Sequence, residues 1–146
     1  MDQTDPFNMG GAMACSAGDT IKKHLKDMKR SINDYDLILT GDLGRYGKEI
    51  LIDYMKEEYK IELGKNYDDS GTMLYDLNKQ EEVLAGASGP LCIAMVSYSD
   101  ILPKLEKGVF KRVLLVATGA LFSPTFVYQH KPIYSISHAV SLEVNK

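Results

Sequence analysis

The stretch YDLILTGDLGRYGKEIL, Tyr35 to Leu51, reads as a strand, a glycine-rich turn and a helix. That order often builds a phosphate cradle at the start of the helix. Here Gly41, Gly44 and Gly47 give G-x-x-G-x-x-G, which is neither the dinucleotide pattern G-x-G-x-x-G nor a P-loop ending in G-K-[ST]. Asp42 stands where a phosphate would approach, and its carboxylate repels one. Two readings remain for the turn. It is a tight strand-to-helix connection that needs positive φ, or a small-ligand site at the carboxyl end of a strand, where α/β sheets usually bind.

Outward from this unit the pattern alternates. From Met9 to about Arg30, Met13, Thr20, Ile21, Leu25 and Met28 recur at helical spacings, although Gly10, Gly11 and Gly18 weaken the helix near its start. Leu37 to Thr40 reads as a buried strand, GDLGRYG as the turn, and KEILIDYMKEEY as a one-faced helix that Gly64 follows as a stop. The next segment is the least periodic, with short strands expected near Tyr67 and near Met73 to Tyr75. A helix follows, with Pro90 in its first turn and Gly108 at its end. Val113 to Ala117 is an apolar run of the kind buried on both faces of a sheet. In KPIYSISHAVSLEV, Ile133, Ser135 and Ser137 alternate with Tyr134, Ile136 and His138, closing the chain with a strand. This order predicts a single α/β domain over residues 1–146, a mixed sheet flanked by helices.

The helix from Leu91 to Leu105 is apolar all round: Leu91, Cys92, Ile93, Ala94, Met95, Val96, Tyr98, Ile101, Leu102 and Leu105. A helix covering one sheet face shows a single stripe, so this one expects burial on two sides. One sheet offers one side. The chain is therefore expected to pack against a second layer that it does not contain, either a further polypeptide or another copy.

Two more Gly/Ser turns join the first. AGASGPL opens the apolar helix, with Ser88 and Gly89 as a cap or ligand contact, and ATGALFSP offers Thr118, Gly119 and Ser123. Convergence of Thr40, Gly41, Asp42, Ser88, Gly89, Thr118 and Gly119 on one sheet edge would make a ligand pocket. The pair worth weighing for nucleophilic catalysis is Cys92 with His138, and the plainer reading is a buried thiol and a core histidine. Two cysteines and three scattered histidines suggest neither a disulfide framework nor a metal centre. The net charge of −3 argues against nucleic acid. No apolar run reaches 18 residues, and MDQTDPFNMGG has no basic region of the kind a signal peptide shows.

FNMGGAMACSAGDTI, YDLILTGDLGRYG, AGASG and KRVLLVATGALFSP…SISHAVSLEV together resemble the C-terminal half of the stage V sporulation protein AD family, over about Asp5 to Val144. More distantly they are similar to the thiolase and ketoacyl synthase superfamily. The resemblance implies one half of a thiolase-like α-β-α-β-α sandwich, with the all-round apolar helix in the central layer. It also implies a lost enzyme. Condensing enzymes take their nucleophilic cysteine from the other half. They place a histidine where Thr40-Gly41-Asp42 stands and an asparagine near Ala87 and Ser88.

What the family implies for function is binding without catalysis and without a cofactor. Its members are associated with uptake of dipicolinic acid, as its calcium chelate, into the forespore. They act with membrane proteins of the same operon, peripherally at the spore inner membrane. The alternatives are an acyl-transfer enzyme fragment, or an inert fragment that needs its N-terminal half or self-association through the Leu91–Leu105 helix. The family's Gly-Gly-Ser-Gly-Cys-Gly-Cys turn here reads Gly86-Ala87-Ser88-Gly89-Pro90-Leu91-Cys92.

Overall fold

A computed structural model describes residues 4–5, 8–86 and 91–144. Its sheet has four strands: β1 (Leu37–Thr40), β2 (Tyr67–Asp69), β3 (Arg112–Leu121) and β4 (Tyr134–Glu143). They lie in the order β2-β1-β3-β4, with β1 parallel to β2 and β3, and β4 antiparallel to β3. The mixed α/β sheet expected from the alternating pattern is therefore present.

The period-2 geometry of strands assigns the two faces. Ile38 of β1 and Leu114 and Val116 of β3 point to one side. There they meet Ala14, Ala17, Ile21 and Leu25 of α1 (Met9–Asp27) and Leu51 and Met55 of α2 (Gly44–Tyr59). Leu37, Leu39 and Val113 point to the other side, against Val96, Ile101 and Leu105. Both faces of β1 and of the first half of β3 are covered, as their apolar runs require, while Ala117, at the end of the expected buried run, is exposed.

Helix α1 keeps its form despite its glycines because they permit close approach. A Cβ on Gly10 would lie 2.8 Å from the Leu43 carbonyl oxygen, and one on Gly47 would lie 3.0 Å from the Gly10 carbonyl oxygen. The two helices thus touch backbone to backbone. This corrects the extent of the turn in the opening stretch. Helix α2 begins at Gly44, so Gly47 is a helix-contact residue rather than a turn residue. Its end is also set earlier than Gly64, by Lys60 in the left-handed region.

Three further expectations change. Met73 to Tyr75 is not a strand: Ser70–Leu74 is a short helix, α3, capped by Asp69, whose side chain accepts from Gly71 N. The strand β3 continues through Leu121, so Thr118 and Gly119 lie within it and not in a turn. The long apolar helix is divided into α4 (Leu91–Val96), a π turn (Ser97–Ile101) and α5 (Leu102–Glu106), which Gly108 follows at φ 71°. A short helix, α6 (Pro124–Tyr128), joins β3 to β4.

At the amino end of β3, Glu143 closes the fold electrostatically. Its carboxylate accepts from Arg112 at 3.1 Å and pairs with Arg30 at 2.5 Å. Arg112 first, then Arg30, draws its pKa down to about 2 from 4.5. A carboxylate depressed on folding contributes stability above its unfolded pKa and loses it as pH falls toward the folded value. Urea titrations at pH 7 and pH 3 should therefore show a smaller acid destabilisation in Glu143→Gln than in the wild type. Gly47→Ala, which drives a methyl into the Gly10 carbonyl, should cost roughly 1–3 kcal/mol in the same assay at pH 7.

Candidate functional site

The carboxyl end of β1 is organised by a carboxylate from the neighbouring strand. Asp69 is fully buried. Its Oδ2 accepts from the Thr40 hydroxyl at 2.8 Å and from Leu43 N at 3.1 Å, and its Oδ1 accepts from Gly44 N and Gly71 N, both at 3.0 Å. Since the Thr40 proton goes to Asp69, the Tyr67 hydroxyl at 3.0 Å donates to Thr40. Burial pushes the Asp69 carboxyl up, while Thr40 and the three backbone donors act the other way. The first N–H groups of α2 are those that would cradle a phosphate or carboxylate ligand. Here the protein's own carboxylate takes them.

The remaining polar group of the turn is Asp42. It has φ 59° and is 4% exposed, and its N–H donates to the Ser70 hydroxyl at 3.3 Å. The positive φ expected of the turn thus falls on Asp42 and on Gly44 (φ 65°) rather than on Gly41. Gly41 instead packs flat on Ile93, where a Cβ would lie 3.2 Å from the isoleucine Cβ. Burial pushes the Asp42 carboxyl above the usual range, and a hydrogen bond from the Cys92 thiol partly offsets this. Its Oδ1 is buried and has no hydrogen-bond partner among the described residues.

The predicted convergence is partly realised. The Thr118 hydroxyl reaches from within β3 to donate to the Gly41 carbonyl, and Gly41 N donates to Val116 O at 2.9 Å. Arg45 N donates to Ala85 O at 2.7 Å, and a Cβ on Gly71 would lie 2.1 Å from the Gly86 carbonyl oxygen. The end of β1, the start of α3 and the approach to the second glycine turn therefore meet. Ser88 and Gly89 lie outside the described residues. Gly119 faces Ile136 across the β3–β4 pair and brings no polar group.

Cys92 is fully buried, with its thiol bonded to Asp42, and His138 is exposed on β4. A carboxylate neighbour does not activate a thiol, whose reactive form is an anion. Among the described residues, no group of three His, Cys, Asp or Glu side chains is placed to hold a metal ion. The residues that sequence reasoning missed are Asp69, Ser70 and Tyr67. The available signal was Asp69-Ser70-Gly71, an acidic cap before a small-residue turn.

Chemically, the site offers one buried carboxyl with an unshared oxygen, on a backbone fixed by Asp69. A folded-state pKa above the unfolded one means that the Asp42 contribution is present at low pH and is lost as pH rises through the raised value. Asp42→Asn, which tolerates the left-handed backbone, should remove that loss, giving a fold at least as stable as wild type at pH 7 to 8. Asp42→Val should destabilise by roughly 1–3 kcal/mol, through backbone strain at a β-branched residue. Thermal unfolding across that pH range checks both.

Known proteins resemble the whole of this arrangement in sequence. The family model for Stage V sporulation protein AD (SpoVAD) matches residues 1–143. Stage V sporulation protein AD of Bacillus subtilis (strain 168) is 50% identical over 141 residues, which is 96% of this chain and 40% of that protein. The chain thus spans about 40% of the length of the curated relative it matches. On the family match and this identity, the chain belongs to the stage V sporulation protein AD family.

Proposed function

We propose that this chain is part of a non-catalytic binding protein of spore formation, one that supports uptake of dipicolinic acid, as its calcium chelate, into the forespore. The observation that carries the reading is the 50% identity to stage V sporulation protein AD over nearly the whole chain. In this reading it works peripherally at the spore inner membrane with membrane proteins of the same operon. Its fold is one half of a thiolase-like sandwich that has lost its chemistry. Among the described residues, no helix is long and apolar enough to cross a membrane.

The site chemistry supports a chelate over a free dicarboxylate. The α2 N-terminus is filled by Asp69, so the amides of Leu43 and Gly44 have nothing to give an incoming anion. Asp42 would repel a bare dicarboxylate. It suits a calcium ion that arrives with most of its oxygen ligands supplied by its own chelator, because such an ion needs few from the protein. Binding without catalysis is supported by Thr40-Gly41-Asp42 standing where the resemblance places a histidine, and by the full burial of Cys92.

Titration calorimetry with calcium dipicolinate tests the reading. Heat of binding is expected with the wild type. Binding should be at least about tenfold weaker for Asp42→Asn, a difference of about 1.4 kcal/mol, and for dipicolinate after calcium is removed by EGTA. No heat with the wild type removes the ligand assignment for this chain. Stoichiometric acylation of Cys92 by an acyl-CoA would replace it with an acyl-transfer enzyme.

A further inference from the structure

The parallel strands gather three chain segments at one end of the molecule. Strand β1 is parallel to both β2 and β3. Residues 28–36, 60–66 and 107–111, which lead into β1, β2 and β3, therefore meet at the amino end of the sheet, with the last turns of α1, α2 and α5. Asp42 and its turn, which follow β1, lie at the opposite, carboxyl end.

Charge is divided between the two ends. Residues 22–36, 56–66 and 104–112, together with Glu143, hold twelve Lys and Arg against eight Asp and Glu. The rest of the chain holds five against twelve, so a basic end belongs to a chain of net charge −3. The lysines of that end are also uncommitted. Lys22, Lys23, Lys26 and Lys29 come from α1 and its extension, Lys56, Lys60 and Lys65 from α2 and the loop after it, and Lys107 and Lys111 from the approach to β3; all nine are exposed. Lys22 lies over the Tyr59 ring and Lys60 donates to the Glu57 carbonyl, but among the described residues none of the nine is in an ion pair. At the carboxyl end Arg45, Lys48 and Lys79 each pair with a carboxylate. Three of the eight acids at the basic end, Asp34, Asp36 and Glu143, are held by backbone N–H groups or by arginine. A lysine in the last turn of a helix offsets its dipole. That accounts for Lys26 and Lys56 but not for Lys29, Lys65 and Lys111, which lie past the helix ends.

We infer that the amino end of the sheet is the face that rests on an anionic lipid bilayer, held by the diffuse attraction of these lysines for lipid headgroups. Composition chooses the partner. All nine uncommitted cations are lysine, while Arg30 and Arg112 of the same end are paired with Glu143. Lysine is a hydrated point charge without the fork of arginine, and it is depleted from protein–protein interfaces, where arginine is enriched. A plane of headgroups asks for charge rather than geometry, and each lysine close to it strengthens binding about fivefold. Met28 and Val109, 48% and 62% exposed, set apolar side chains among the lysines, a mixture that suits the boundary between headgroups and acyl chains. In this orientation the acidic carboxyl end, with Asp42 and its turn, faces away from the lipid. The inference rests on the peripheral membrane placement proposed above and is independent of the dipicolinate assignment.

Co-sedimentation of the full chain with vesicles, without dipicolinate or calcium, tests it. The chain should bind vesicles of phosphatidylglycerol mixed with phosphatidylcholine at least about tenfold more tightly than vesicles of phosphatidylcholine alone. Raising the salt from about 0.1 M to about 1 M, which shortens the screening length from about 10 Å to about 3 Å, should release it. The combined substitutions Lys23→Glu, Lys26→Glu and Lys29→Glu should weaken binding at least about tenfold, with circular dichroism unchanged. Arg45→Glu, Lys79→Glu and Lys131→Glu together make the same change in net charge away from the amino end, and should leave binding within about twofold of wild type. Three results would overturn the inference: no binding of the wild type to the anionic vesicles, an equal loss of binding in the two triple variants, or tighter binding to polyglutamate than to the anionic vesicles at the same salt. The first leaves the calorimetric test with calcium dipicolinate untouched, so the two readings fail separately. The last would assign the basic end to an acidic protein.

Discussion

Everything at the carboxyl end of the sheet depends on one buried carboxylate. Asp69 binds Thr40 at the end of β1, the first two amides at the start of α2 and the Gly71 amide at the start of α3. A buried anion of this sort survives only when its lone pairs are satisfied, and here four donors from three elements do so. The same bonds set the path of the Asp42–Gly44 turn. They also explain why a glycine-rich strand-to-helix turn, which in other proteins holds a phosphate, holds none of its N–H groups open. The anion that the turn is shaped for is already part of the chain.

This internal filling leaves Asp42 as the exception. It occupies a left-handed backbone conformation, is removed from water, and keeps an oxygen without a partner. Strain and an unsatisfied buried group at one residue is a combination that folds normally avoid away from functional sites. Gly41 beside it packs on Ile93 of α4, so the turn at the end of β1 and the helix on the second face adjoin.

Much of the framework was legible before folding was considered. The 3.6-residue period of α1, the run Val113–Ala117 and the strict alternation of Tyr134–His138 each map onto an observed element. The failures have a common physical cause. Gly47 read as a turn residue, and Thr118 and Gly119 read as a turn, because glycine signals backbone freedom without saying whether it is used for φ or for close contact. In Gly47 it serves contact with Gly10, a residue 37 positions away. Met73–Tyr75 read as a strand from its apolar residues, but the Asp69 cap committed the preceding residues to a helical turn.

The sequence by itself determined the buried strand Leu37–Thr40, the alternation of helix and strand, and the presence of a helix with more apolar surface than one sheet can cover. These follow from local periodicity and from the free energy of removing apolar area from water, both of which are written along the chain. Only the tertiary structure decided which anion fills the opening turn, where the positive φ falls, and which strip of sheet and helix is left uncovered. Those outcomes depend on groups brought together from β1, β2, β3, α2 and α4. No pattern within one stretch records the partner that a distant residue supplies.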